Sequence, residues 1–149
     1  MNILVVCTGN TCRSPMAEVI LKAVLENKDI EADVKSRGLY ASEGEPASDY
    51  AKLAVKNYGL SLDSHMAKNI TPEDISGADL VLTMTESHKK ALEKVCPPEK
   101  LFTFKEYSLG KSGDISDPFG QSPSVYLECA EEIADCALAL ADKLKAEDK

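Results

Sequence analysis

Basic residues are in short supply: 17 Lys and Arg stand against 25 Asp and Glu, a net charge of −8 over 149 residues. That shortage excludes a general nucleic-acid binder, which must neutralise phosphates with clustered Lys and Arg. No apolar stretch approaches the roughly 20 residues that span a bilayer, so no membrane partner is expected. The first residues lack the basic flank and small-residue cleavage site of a secretory signal, and residues 2–6 read instead as a strand. The five cysteines, at 7, 12, 96, 129 and 136, are odd in number and follow no framework or zinc-ligand spacing. With no export signal either, the expected compartment is the cytoplasm, and neither a metal nor another cofactor is called for. Tryptophan is absent and aromatics make up only 5%.

What is present is an ordinary apolar fraction of 44%. At this length it suits one domain over residues 1–149, expected to be a monomer. Short buried-type runs at 2–6, 32–36, 79–84 (DLVLTM) and 101–104 read as strands. They alternate with helical patterns at 14–27, 46–58 and 86–95. A last helix opens at Ser122 and Pro123 and carries Tyr126, Ala130, Ile133, Ala137, Leu140 and Leu144 at helical spacing. Cys129 and Cys136 fall in that pattern as small core hydrophobes. In the first helix the expected apolar stripe is Met16, Ile20, Ala23 and Val24. Residues 106–121 (EYSLGKSGDISDPFGQ) read as a long functional loop and 143–149 as a frayed end. Strand–helix alternation predicts an α/β fold, a parallel sheet with helices on both faces, and a ligand site at the carboxyl ends of its strands.

The loop after the first strand, in MNILVVCTGNTCRSP, sits at that edge. A strand that enters a helix through a glycine-containing loop directs several backbone N–H groups into one concavity. The helix N-terminus adds partial positive charge, so the concavity favours an anion. Thr8, Gly9, Asn10, Thr11 and Cys12 line it, and Arg13 brings a planar fork able to hold two phosphate oxygens. The same field acts on Cys7, whose pKa is expected to fall below the ordinary thiol value, giving a nucleophile. Ser14, followed by proline, is expected to cap the helix and to donate its hydroxyl to the Cys7 sulfur. Asn10 is expected to brace the loop.

CTGNTCRSPMAE resembles the loop of the low-molecular-weight protein tyrosine phosphatases, whose signature is C-x-x-x-x-x-R-S/T near the N-terminus. The likeness continues through Gly38, His65-Met-Ala-Lys68, ADLVLTM and Asp117-Pro118, nearly the whole chain. It implies a small α/β domain around a four-stranded parallel sheet. It also implies Cys7 as nucleophile, Arg13 as phosphate clamp and Asp117 as general acid. In such chemistry a thiolate attacks phosphorus to give a phosphocysteine while an acid protonates the leaving group, with no metal needed.

The family holds both tyrosine and arginine phosphatases. Its arginine-directed members typically read CTGNTCRSP, with Thr where tyrosine-directed members carry a larger aliphatic residue, and DPFG where the others often have Tyr or Trp after Asp-Pro. This chain has Thr11 and Phe119-Gly120. A branched aliphatic wall would crowd the planar, polar group beside the phosphorus of phosphoarginine, whereas Thr11 leaves room and a hydroxyl. Leu39, Tyr40 and Phe119 are candidate pocket walls, and His65 reads as structural. The expectation is thus a phosphatase of phosphoarginine in protein substrates, with a tyrosine phosphatase as the alternative. Arsenate reductase fits less well, because residues 83–98 offer only Cys96 as a relay thiol. Cys12, in the same loop as Cys7, also suggests redox sensitivity or a phosphate-binding redox module.

Overall fold

A computed structural model describes residues 1–147. Four strands, β1 (Asn2–Cys7), β2 (Asp33–Gly38), β3 (Leu80–Thr83) and β4 (Leu101–Thr103), pair in parallel in the order β2-β1-β3-β4. The chain leaves β1 toward one neighbour and later returns to the other, so the strand order reverses at the carboxyl end of β1. That reversal opens the crevice in which such sheets bind ligands.

Every residue of β1 beyond Asn2 is buried, as expected of a strand covered on both faces. Parity then sorts its side chains. Ile3, Val5 and Cys7 enter one apolar core with Leu80 and Leu82; Leu4 and Val6 enter a second with Val81 and Leu101. The first core is closed by α1 (Arg13–Asn27), α2 (Asp49–Lys56), Phe104 of α5 (Phe104–Leu109) and α6 (Pro123–Glu147). The second is covered by Ile75 of α3 (Pro72–Gly77) and Leu92 of α4 (Glu86–Leu92). Helices thus lie on both faces, as the alternation predicts. Cys129 and Cys136 sit in the first core with Ile133 and Leu140.

Several local expectations change. Residue Cys12, not Ser14, occupies the N-cap of α1, and no side chain caps it. The Ser14 hydroxyl is occupied elsewhere, as described below. On α1 the fully buried stripe is Met16, Ala17, Ile20, Leu21 and Leu25, with Ala23 and Val24 only half-buried, because the helix is wedged between the sheet and α6. The stretch from 106 is not all loop, since α5 continues to Leu109 on a Thr103/Glu106 capping box and ends at Gly110, whose φ is 69°. The unpredicted α3 has the same device, Thr71 with Asp74, and Pro72 in its first turn. Helix α6 runs unbroken to Glu147, so residues 143–147 are helical and not the frayed end expected there; residues 148 and 149 lie outside the described residues. Among the described residues no helix is long and apolar enough to cross a membrane.

Candidate active site

Cys7 ends β1, and the loop that follows turns back over it. Asn10 makes this possible by adopting φ 57°, a left-handed conformation that Asn tolerates better than most residues. Its N–H points at Cys7 Sγ, 3.3 Å away. The Asn10 amide is held from three segments: Oδ1 accepts from Lys68 N–H at 3.0 Å, and Nδ2 donates to Ser14 Oγ at 2.9 Å and to Ser36 Oγ at 3.0 Å. The backbone donor at Lys68 fixes which end of the amide is oxygen. Ser14 Oγ therefore receives a hydrogen from Asn10 and has its own left for Cys7 Sγ, 2.8 Å away. The Asn10 carbonyl accepts from His65 Nε2 at 2.7 Å, which makes His65 a brace of the loop, as expected.

Cys7 is 4% exposed. Burial pushes its pKa up, and the Ser14 hydroxyl, the Ser14 and Asn10 N–H groups and Arg13 pull it back without overcoming the burial. The expected depression is therefore reversed. The attractors are those the sequence names, but desolvation of the anion outweighs them.

Arg13 opens α1 and reaches the late loop. Its Nη1 donates to Ile115 O at 3.0 Å, and its Nη2 is 3.5 Å from Asp117 Oδ2. Ile115 is itself pinned, N–H to Met84 O at 2.8 Å, beyond the end of β3. Asp117 closes a small turn, accepting from Phe119 N–H at 3.1 Å, and its side chain is 56% exposed. A pair with so exposed a carboxylate adds about 0–1 kcal/mol to stability; its consequence is position.

A cavity of about 280 Å³ is lined by Cys7, Thr8, Gly9, Thr11, Cys12, Arg13, Asp117 and Phe119. The Cys7 thiol, a guanidinium, a carboxylate and the residue between Asn10 and Cys12 thus share one space. The Thr11 hydroxyl has only a long contact, 3.8 Å to Cys12 Sγ. Asn10, Leu39 and Tyr40 are not part of this lining; Asn10 is fully buried beneath it, its polar groups spent on the brace. Leu39 packs against the second core, and Tyr40 is 80% exposed, held through its N–H to Thr8 O. All five cysteines are free thiols, and Cys12 Sγ lies 3.5 Å from both Ser48 Oγ and Tyr126 Oη. Burial, with Cys12 beside it, pushes the Tyr126 phenol to about 12, so it stays a neutral hydroxyl there. One contact at the rim was not anticipated: His88 Nε2 meets Thr8 Oγ1 at 2.8 Å. Nothing in the sequence between the two residues, 80 positions apart, marks that pairing.

The sequence profile described as low molecular weight phosphotyrosine protein phosphatase matches residues 2–149. The protein-arginine-phosphatase of Bacillus subtilis (strain 168) is 40% identical over 147 residues, 97% of each chain. The low molecular weight protein-tyrosine-phosphatase PtpB of Staphylococcus aureus is 37% identical over 143 residues, 95% of this chain and 98% of that one. Among solved structures, the arginine phosphatase YwlE, as a Cys-to-Ser mutant with a phosphorylated active-site serine, superposes with a TM-score of 0.92. It is 38% identical over 97% of this chain and 96% of that one.

Proposed function

The chain belongs to the low molecular weight phosphotyrosine protein phosphatase family, and within it we propose that it hydrolyses phosphoarginine in proteins through a phosphocysteine on Cys7. The observation that carries the choice of arginine is Thr11, a short side chain lining the Cys7 cavity with its hydroxyl free of any short partner. The planar guanidinium beside the phosphorus needs both space and polar company, and a branched aliphatic side chain at that position removes both. The name of the Bacillus subtilis relative supports the same reading.

The reaction follows from the side chains around the cavity. Loop N–H groups and the remaining N–H groups of Arg13 hold the phosphoryl oxygens, with the start of α1 beneath them. The phosphoryl group brings two negative charges beside a thiol kept neutral by burial. A proton passed from Sγ to a phosphoryl oxygen leaves a thiolate and a monoanion of the same total charge. The thiolate attacks phosphorus, the N–P bond breaks, and Asp117 gives its proton to the departing guanidino nitrogen. Asp117 then takes a proton from water as that water attacks the phosphocysteine. The sulfur departs as thiolate toward the Ser14 hydroxyl and the Asn10 N–H, takes a proton back from the phosphate, and inorganic phosphate leaves. All of these groups come from one chain, which supports action as a monomer, and five free thiols suit the reducing cytoplasm.

Purified protein assayed on phosphoarginine and phosphotyrosine peptides, with Cys7→Ser as blank, is expected to favour phosphoarginine. Better turnover of phosphotyrosine overturns the proposal. Thr11→Ile is expected to lower phosphoarginine turnover about 10-fold or more while sparing phosphotyrosine. An equal loss on both substrates removes the steric reason.

A further inference from the structure

Neither the nucleophile nor the general acid accounts for His88. It lies on α4, 6% exposed, with Nε2 against Thr8 Oγ1 at the rim of the cavity. The N–H of His88 bonds the Thr85 hydroxyl that caps α4, which seats the residue in the helix's first turn. Its Nδ1 is buried without a hydrogen-bond partner. Burial foremost, and then the Arg13 charge, hold the His88 pKa below its ordinary value, against the pull of Asp114 and Asp117, so the ring is neutral near pH 7.

A neutral imidazole carries one hydrogen, on Nδ1 or on Nε2. On Nδ1 it would be an orphaned buried donor, a rarer and costlier arrangement than an unused lone pair. On Nε2 the hydrogen meets Thr8 Oγ1. A hydroxyl that accepts in this way has its own hydrogen left to give, and Thr8 lines the cavity beside Cys7 and Arg13.

We propose that His88 is a positioning residue that donates from Nε2 to Thr8 Oγ1 and thereby turns the Thr8 hydroxyl into a donor to the bound phosphoryl group. Without that donor, the Thr8 hydroxyl is free to rotate its hydrogen away, and the phosphate loses one oriented contact. This rests on the reading of the loop as a phosphate cradle.

Two measurements test it. In the wild-type protein, nitrogen NMR is expected to show a protonated Nε2 and a bare Nδ1 on His88 at neutral pH; the opposite tautomer overturns the proposal, and no variant is needed. Inorganic phosphate is then titrated as a competitive inhibitor of a small aryl phosphate. Thr8→Val and His88→Leu are each expected to weaken phosphate about 10-fold, the effect of one hydrogen bond to a charged group. The double variant is expected to be no weaker than Thr8→Val alone, and His88→Gln, with an amide N–H near the Nε2 position, to recover most of the loss. Additive losses, with phosphate still inhibiting the wild type, overturn the role of His88 alone. Failure of phosphate to inhibit the wild type at all removes the cradle and this proposal together.

Discussion

At the scale of single residues, Ser14 illustrates how little of a site lies in residue type alone. A serine before a proline at a helix start suggests a cap, yet its oxygen takes a hydrogen from Asn10 and meets Cys7 Sγ at 2.8 Å, with its own hydrogen left to give there. Caps act on backbone N–H groups; this one acts on sulfur. Removing it with Ser14→Ala strips the thiolate of its strongest single stabiliser. A lost donor disfavours the anion, so the pH midpoint of Cys7 alkylation by iodoacetamide is expected to move upward, with a fall in kcat of about 10-fold or more. A midpoint that stays or drops would mean that the hydroxyl accepts from the thiol instead. The sequence names every attractor of the Cys7 anion, but not the burial that opposes them. Depth comes from the core that Cys7 joins, part of which, Ile115 and residues of α6, arrives more than a hundred residues later. Asn10 is similar: its bracing role is legible, while its distant partners, 26 to 58 residues away, are not.

Among elements, the seam between β2 and the loop is a close approach. Gly38 pairs with Cys7 across the sheet, and a Cβ built there would stand 2.7 Å from Thr8 O, 3.0 Å from Ala41 Cβ and 3.1 Å from Asn10 Cβ. Two of those three atoms belong to the phosphate loop itself. Gly38→Ala therefore must displace the loop to be accommodated. The expected outcome is a folded protein destabilised by about 1–3 kcal/mol, read from its urea midpoint, with kcat down about 10-fold or more because the loop N–H groups no longer converge. Unchanged kcat would show that the loop yields without losing its aim. The four strands and the long helices are visible as periodicity because each buries a full face. The six-residue α3 and α5 are too short for a period to show. Their capping boxes, Thr71 with Asp74 and Thr103 with Glu106, were a readable signal of the kind that marks a helix start.

For the molecule as a whole, the site is a closure of distant chain. Arg13 bonds Ile115 across 102 residues, and Cys12 meets Tyr126 across 114. The unfolded chain cannot assemble such a cradle, so phosphate binds the native state and not the unfolded one. Linkage then makes phosphate a stabiliser of the entire fold: at 100 times its dissociation constant it adds about 2.7 kcal/mol. For a domain of about 150 residues, each kcal/mol moves the melting temperature by about 2–4 °C, so a rise of about 5–10 °C is expected. Sulfate and phosphate also stabilise proteins generally by exclusion from their surfaces, and the control must separate the two effects. Arg13→Ala provides it, since it removes the guanidinium that holds the phosphate oxygens and leaves the general salt effect in place. Its melting temperature is expected to respond to phosphate only as it does to an equal ionic strength of sodium chloride. If wild type and Arg13→Ala gain the same increment from phosphate, the stabilisation is general and the cradle is not where the anion binds. If only the wild type gains, the same Arg13 that joins the two ends of the chain also holds the substrate's phosphorus.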